Sequence, residues 1–448
     1  MIIDPTIFRA YDIRGIFPEQ IDPDVAYKIA QAYSKFVNPS TVVLGTDVRT
    51  SGPILKEAVK QGLLDHGVDV IDVGVITTDM LYFAVANYGF DGGIIVSASH
   101  NPREFNGLKL VKKNAVPISG DSGIYSIRDI VLSGYALNQK DKGQVSEREI
   151  TKDYIRKCLS FIDKSKLKRF KVLVNGMFGP AVQNVEKMEL PIDLVYLNEV
   201  PDGTFPKGAP DPLLDENRKE TIEAIKREVV DFGVAWDADA DRFFLFDETG
   251  RWIPGYYLTA FFGEFYCQRK PGAKIIYDPR LTWATIEEVK DSGGFSLVNK
   301  AGHSFIKERM RKEDADFGGE MSGHYYFKDF FYCDNGLIPF LLILQIVSES
   351  GKKVSELFDP YFSKYPISGE INSNLSSLEL SDPILKKIAE DYSDAKIDMT
   401  DGISIEYSDW RANIRPSNTQ PLIRLNVEAK TEELMKQKTE ELLAIIRK

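Results

Sequence analysis

Three carboxylates stand at strictly alternating positions in Asp237-Ala238-Asp239-Ala240-Asp241, with Arg242 directly after them. Alternate side chains of an extended segment share one side, so the three acids are expected to converge. Converging like charges are costly unless a cation sits among them, and all-oxygen donors select a hard ion such as Mg²⁺ or Ca²⁺. An EF-hand loop is the sharp competitor, since Glu248 would supply its last ligand. It needs glycine where this chain has Arg242, and the residues after it, FFLF, read as a strand. A solvated acidic turn is the plain alternative.

A second loop, Ser97-Ala98-Ser99-His100-Asn101-Pro102, has small residues before a proline-ended turn, which would let the Ser99 hydroxyl stand exposed at a strand end. Ser99 is a candidate nucleophile with His100 beside it, although neighbours in sequence rarely face each other. No GxSxG elbow is present, which argues against an α/β-hydrolase. The alternative is a turn whose hydroxyls are satisfied locally. A third loop, Gly318-Gly319-Glu320-Met321-Ser322-Gly323-His324, offers a carboxylate and a hydroxyl suited to sugar hydroxyls. A fourth, Arg415-Pro416-Ser417-Asn418-Thr419, has the composition of a phosphate cradle, with Arg424 following; its alternative is a polar hairpin turn. Arg9, Arg14, Arg49, Lys109 and Arg280 read as cations at turns. Of the 4 histidines, His100, His303 and His324 fall in or beside strand-end loops, and His66 on a helix.

These loops need a scaffold, and a strand, turn, helix, strand order recurs three times. Thr41–Leu44 leads through GTDVRTSG into a helical run and VDVIDVGVI; Phe170–Val174 leads through NGMFGPA to IDLVYL; Lys274–Tyr277 leads through DPRLTWA to FSLVNKAG. Each unit is followed by one of the first three loops, and open α/β sheets place their chemistry at such strand ends. ISIEY, WRANIRPS and PLIRLNVEA alternate like antiparallel strands, and Thr431 is expected to cap a closing amphipathic helix through Leu434, Met435, Leu442, Leu443 and Ile446. The expected organisation is three similar mixed α/β domains, 1–148, 149–250 and 251–365, then a smaller α+β domain with an antiparallel sheet, 366–448.

A chain of 448 residues is too long for one core, which supports several domains. Its net charge of −11 argues against a nucleic-acid partner, so any cations for an anionic ligand must be gathered locally. Cys158, Cys267 and Cys333 lie far apart with no CxxC pair, which points to reduced structural thiols in a cytoplasmic protein. The N-terminal residues lack signal-peptide regions. The apolar run Leu337–Val347 is too short to span a bilayer and is expected to be a buried helix.

FRAYDIRG, SASHNP followed by NGLK, DADADR, GEMSGH and RPSNT, in order from Phe8 to Arg424, resemble the α-D-phosphohexomutase family, in its phosphomannomutase/phosphoglucomutase branch. The resemblance implies four domains and interconversion of hexose 1-phosphate and hexose 6-phosphate, of mannose or glucose, through a phosphoserine and a 1,6-bisphosphate. It implies phosphate on Ser99, and Mg²⁺ held by Asp237, Asp239, Asp241 and the phosphoryl group on Ser99. The expected catalytic set is Ser99, Arg14, His100, Lys109, Arg242 and His324, with Lys109 a candidate acid/base and His324 a second. The expected substrate set is Tyr11, Arg280, Gly302, His303, Glu320, Met321, Ser322, Gly323, Arg415, Pro416, Ser417, Asn418, Thr419 and Arg424. Hexose 1,6-bisphosphate is the expected activator, and the chain a monomer or small homo-oligomer with small-molecule hexose phosphates as its partners.

The chain departs from the family pattern in three places. Ser97 stands where threonine is common, and Arg280 replaces a lysine, which keeps the charge but forks it. Lys207-Gly208-Ala209-Pro210-Asp211-Pro212 lacks the family's histidine. The alternatives are a phosphoglucosamine mutase, which Met321 in place of glutamine argues against, a non-catalytic sugar-phosphate binder, and a phosphatase that hydrolyses the phosphoserine.

Overall fold

A computed structural model describes residues 3–134, 141–417 and 421–447. The chain forms two compact units, one of residues 1–252 with 324–354 and the other of residues 253–323 with 355–448.

In the first unit, Thr41–Thr46 is the central parallel strand of a mixed sheet, flanked by Asp69–Val75 and Gly92–Val96. Phe105–Lys112 then runs antiparallel to Gly92–Val96, and Ile13–Ile16 antiparallel to Phe105–Lys112. Buried Val42, Leu44, Ile94, Val96, Leu108 and Leu110 pack against helices Pro23–Val37 and Gly52–Leu64. A second sheet repeats the plan, with Phe170–Asn175 between the parallel strands Ile192–Leu197 and Phe232–Trp236. Phe243–Phe246 returns antiparallel, so the FFLF segment is a strand and an EF-hand is ruled out. The apolar run becomes the buried helix Leu337–Ser350. Trp236 fastens it by donating its indole N–H to the Gly336 carbonyl at 2.8 Å and by an edge-on contact with Phe340.

The second unit repeats the plan again. Lys274–Tyr277 lies parallel to both Phe295–Val298 and Phe317–Gly319. Its other sheet is antiparallel throughout, in the order Ile371–Asn374, Leu422–Ala429, Trp410–Pro416, Ile403–Glu406, Lys396–Asp398. The Thr431 hydroxyl accepts from Leu434 N and caps helix Glu432–Ile446, whose Met435, Leu442 and Ile446 are buried against the sheet. The architecture is therefore three α/β sheets followed by an antiparallel sheet domain. Among the described residues, no helix is long and apolar enough to cross a membrane.

Several cations sit elsewhere than the turns expected for them. Lys109 lies in the middle of Phe105–Lys112 and Arg14 on Ile13–Ile16. These strands are buried and paired, so each long side chain is aimed by a rigid backbone. His303 begins helix His303–Glu313, directly beside the loop of residues 299–302.

The two strands that carry Arg14 and Lys109 meet very closely at Gly107, which pairs with Arg14. A Cβ at Gly107 would lie 2.1 Å from the Ile13 carbonyl oxygen. Gly107→Ala is expected to lower the melting temperature by roughly 3–8 °C through overpacking. Thermal denaturation followed by circular dichroism checks this, and an unchanged melting point contradicts it.

Candidate active site

The strand Phe232–Trp236 ends in the acid loop, and the three carboxylates do converge: one oxygen from each of Asp237, Asp239 and Asp241 lies within 4.8 Å of the others, all buried. The route is not the expected extended chain. Ala240 N donates to the Asp237 carbonyl at 3.0 Å and Ala240 takes φ 55°, so a tight left-handed turn gathers the acids. Alanine is accepted in that conformation at a cost of about 1 kcal/mol.

Two cations oppose these charges from fixed positions. Lys109 Nζ donates to Asp239 Oδ2 at 2.7 Å and to Asp241 Oδ2 at 2.6 Å. Arg242 Nε donates to Asp237 Oδ2 at 2.7 Å, while its Nη1 lies 3.2 Å from Asp211. Burial alone would lower the Lys109 pKa, but the two carboxylates hold it above the ordinary value, so it stays an ammonium. Burial pushes Asp239 up, and Lys109 reverses this and holds it well below the usual range. Asp237 is pushed up to about 7 by burial and the neighbouring aspartates, against the pull of Arg242. Among the described residues, Asp239 Oδ1 and Asp241 Oδ1 are buried without a hydrogen-bond partner. Uncommitted oxygens on a three-carboxylate set fit a hard divalent cation.

Ser99 lies beside this cluster, and it is buried at 2 % exposure rather than standing exposed. Its φ of 52° turns the hydroxyl so that Oγ is 3.1 Å from His100 Nδ1 and 3.3 Å from Asp237 Oδ2. The left-handed turn thus brings together two neighbours that an extended chain would keep apart. Burial, then the nearby Arg242 and Arg14, push the His100 pKa well below the ordinary imidazole value and leave the ring neutral. Arg14 donates to Asn101 of the same loop at 2.5 Å and is itself paired with Asp12.

Arg49 holds the serine loop in shape. Its Nη2 donates to the carbonyls of Ser99 and Asn101, each at 2.6 Å, and its Nη1 to those of Pro102 and Phe105 at 2.8 and 3.0 Å. A planar fork of donors can satisfy four carbonyls at once, which an ammonium cannot do. The GTDVRTSG segment marks Arg49 only as a cation at a turn. Thr78 carries no signal at all: its N–H donates to the Asp239 carbonyl at 3.0 Å and its Oγ1 to Asp239 Oδ2 at 2.6 Å. His324 Nδ1 lies 3.8 Å from Asp241 Oδ1 and 3.1 Å from the fully buried Asp334. Thr78 escapes a sequence reading because its partner Asp239 lies 161 positions along the chain, and Asp334 because no motif marks it as the partner of His324.

The second unit holds the remaining polar set. Arg280 Nε and Nη2 donate to Asp278 at 2.8 and 2.7 Å, and Asp278 also accepts from Met321 N at 2.7 Å. Glu320 Oε1 accepts from Gly302 N at 2.7 Å, where φ is 127° and only glycine is comfortable. Gly323, at φ 92°, closes the turn by donating to the Glu320 carbonyl at 3.0 Å, and Met321 and Ser322 are half-buried. His303 Nδ1 lies 3.4 Å from Lys307 Nζ. Arg415 and Arg424 face each other across paired strands, Pro416 ends the first of them, and Ser417 N donates to the Leu422 carbonyl at 2.9 Å. Asn418 and Thr419 lie outside the described residues, and the half-buried Tyr11 belongs to the first unit.

The four phosphoglucomutase/phosphomannomutase family models match the chain in order: alpha/beta/alpha domain I over residues 5–136, domain II over 152–250, domain III over 254–365 and the C-terminal domain over 370–445. The chain is 43% identical to a phosphomannomutase of Escherichia coli, over 99% of each chain. It is also 43% identical to a protein of Xanthomonas campestris named for phosphohexose mutases, over 98% of this chain and 99% of that one. The crystal structure of a phosphoglucomutase/phosphomannomutase family protein from Burkholderia thailandensis superposes with a TM-score of 0.89 at 31% identity, covering 99% of this chain and 97% of that one.

Thr78 offers a test of the acid cluster that is independent of any reaction. Thr78→Val keeps the shape but removes the hydroxyl that orients Asp239, and loss of such an outer partner weakens metal binding by about tenfold or more. Calorimetric titration with Mg²⁺ is expected to show that loss for Thr78→Val and near-native binding for Thr78→Ser. Equal binding by all three proteins contradicts it.

Proposed function

This chain belongs to the phosphoglucomutase/phosphomannomutase family and is a phosphohexose mutase, an intramolecular phosphotransferase; from that premise we propose that Ser99 carries the travelling phosphoryl group. The observation that carries the reading is the buried Ser99 hydroxyl, 3.3 Å from Asp237 in a cluster whose charge Lys109 and Arg242 offset. Phosphoryl transfer asks mainly for positioning and charge neutralisation, and this site supplies both.

In the forward half-reaction, the bond from phosphorus to Ser99 Oγ breaks and one to a hydroxyl of the hexose monophosphate forms. The sugar hydroxyl gives up its proton and Ser99 Oγ takes one. His324, oriented by Asp334 at 3.1 Å, is assigned the sugar proton. Neutral His100, 3.1 Å from Ser99 Oγ, is a base and not an acid, so it is assigned the converse step, accepting the serine proton when Ser99 is rephosphorylated. In the forward direction the proton gained by Ser99 Oγ balances the one lost by the sugar. Lys109, held charged between two carboxylates, serves as a fixed positive charge rather than as the base. Asp237, Asp239 and Asp241 would hold Mg²⁺, which when bound supplies charge for the serine oxygen as it leaves. The Arg49 clamp keeps Ser99 in place through both halves of the reaction.

The hexose 1,6-bisphosphate so formed returns its other phosphate to Ser99, which moves the phosphate from one end of the sugar to the other. A chain whose Ser99 has lost its phosphate needs that bisphosphate to reload, which makes it an activator. Glu320 and Ser322 suit the ring hydroxyls, and Arg280, Arg415 and Arg424 suit the phosphate that is not reacting. The names of the relatives support mannose as the first hexose to test, with glucose and glucosamine beside it.

Ser99→Ala is expected to lower turnover of mannose 1-phosphate by about a thousandfold or more while the fold survives, since a covalent carrier has no substitute. Intact-mass and peptide analysis of the native enzyme after incubation with glucose 1,6-bisphosphate should find one phosphoryl group, on Ser99. An enzyme that turns over with its phosphate elsewhere, or with none, contradicts the assignment.

A further inference from the structure

We infer that Glu370 is a resident counter-ion of the phosphate cradle, a carboxylate that a substrate phosphate must displace from three guanidinium groups. The inference rests on the reading of Arg280, Arg415 and Arg424 as that cradle. Glu370 Oε2 lies 3.2 Å from Arg415 Nη2 and 3.8 Å from Arg280 Nη1, and its Oε1 lies 3.7 Å from Arg424 Nη1. Other acids are close, but each serves fewer partners: Asp278 and Glu320 reach Arg280, and Asp401 lies 3.7 Å from Arg415. Among these acids, Glu370 is the one that reaches all three arginines.

Two further features make this placement more than a structural ion pair. Arg415 and Arg424 face each other directly across paired strands, where like charges repel unless an anion stands between them. Among the described residues, buried Arg415 Nε and Arg424 Nε also lack a hydrogen-bond partner. The guanidinium groups therefore keep donors to give while Glu370 holds their charge. Burial works against the Glu370 carboxylate, but the three arginines outweigh it and keep the group ionised.

A phosphate dianion entering the cradle competes with Glu370 for the same N–H groups and is repelled by it. Glu370 therefore assembles the empty cradle and weakens its grip once filled. This reaction benefits from a loose grip, because the bisphosphate must leave the cradle by one end and return by the other. Tight binding of both orientations would lower KM without raising kcat.

The test titrates the dephosphorylated full-length enzyme with mannose 1-phosphate in a calorimeter at fixed ionic strength. Glu370→Gln keeps the shape and an acceptor for Arg415 while removing the competing charge, and is expected to lower Kd by roughly fivefold to tenfold. Glu370→Asp, which keeps the charge, should bind close to native, and Arg415→Ala should bind more weakly. In steady state, Glu370→Gln should lower KM and kcat together as release slows. If Arg415→Ala weakens binding but Glu370→Gln does not tighten it, the counter-ion idea is wrong and the cradle stands. If Arg415→Ala leaves binding unchanged, the cradle is misassigned and the inference falls with it.

Discussion

A single buried ammonium holds the first unit's chemistry together. Lys109 Nζ sits between Asp239 and Asp241 at 2.7 and 2.6 Å. Without it, carboxylates buried this closely would repel one another and lose their hydration, a penalty of several kcal/mol for each ion. Lys109 stands on one sheet of the unit and the aspartates on a loop of the other, so the pair is also a tie between two α/β layers. Thr78 adds to the same tie through both its backbone and its hydroxyl. Around this pair the other groups find their places: Arg242 on Asp237, Ser99 beside Asp237 and His324 beside Asp241.

The same constraint explains why the site is built on strand ends and strained turns. A charge cluster that stabilises itself only at short range tolerates little drift, and buried strands fix positions better than loops do. Lys109 and Arg14 both project from paired strands. Ser99 and Ala240 take left-handed backbone at φ 52° and 55°, and each turn aims a functional group that an extended chain would point elsewhere. In the second unit the problem is reversed. There three arginines gather, and a carboxylate keeps them together.

Much of this was legible in the sequence wherever a pattern is local. The three strand, turn, helix, strand units, the antiparallel closing sheet, the Thr431 cap and the buried helix near Leu337 all follow from periodicity and turn residues. The aspartate loop announced itself by strict alternation, though a turn at Ala240 rather than an extended chain gathers the carboxylates. Groups whose partners are remote in sequence were not legible. Glu370 and Thr78 carry no local signal and Arg49 reads only as a turn cation, yet they meet residues 45, 161 and 50 positions away. Lys109, in NGLKL, reads as a turn cation, whereas it lies in the middle of strand Phe105–Lys112. Nothing in local composition announces that residues 324–354 pack with the first unit.

The claim on which the rest depends is that the acid cluster requires a cation, which Lys109 provides from within the chain and a divalent ion can supplement. Melting of Lys109→Met beside the native enzyme, in chelator and in millimolar Mg²⁺, tests it most directly. Methionine keeps much of the reach and apolar stem but removes the charge. The account predicts a clearly lower melting temperature for the variant in chelator, with Mg²⁺ raising the variant more than the native protein, because binding to the folded state offsets the missing charge. Equal melting of the two proteins in chelator, or an equal Mg²⁺ shift for both, would contradict it.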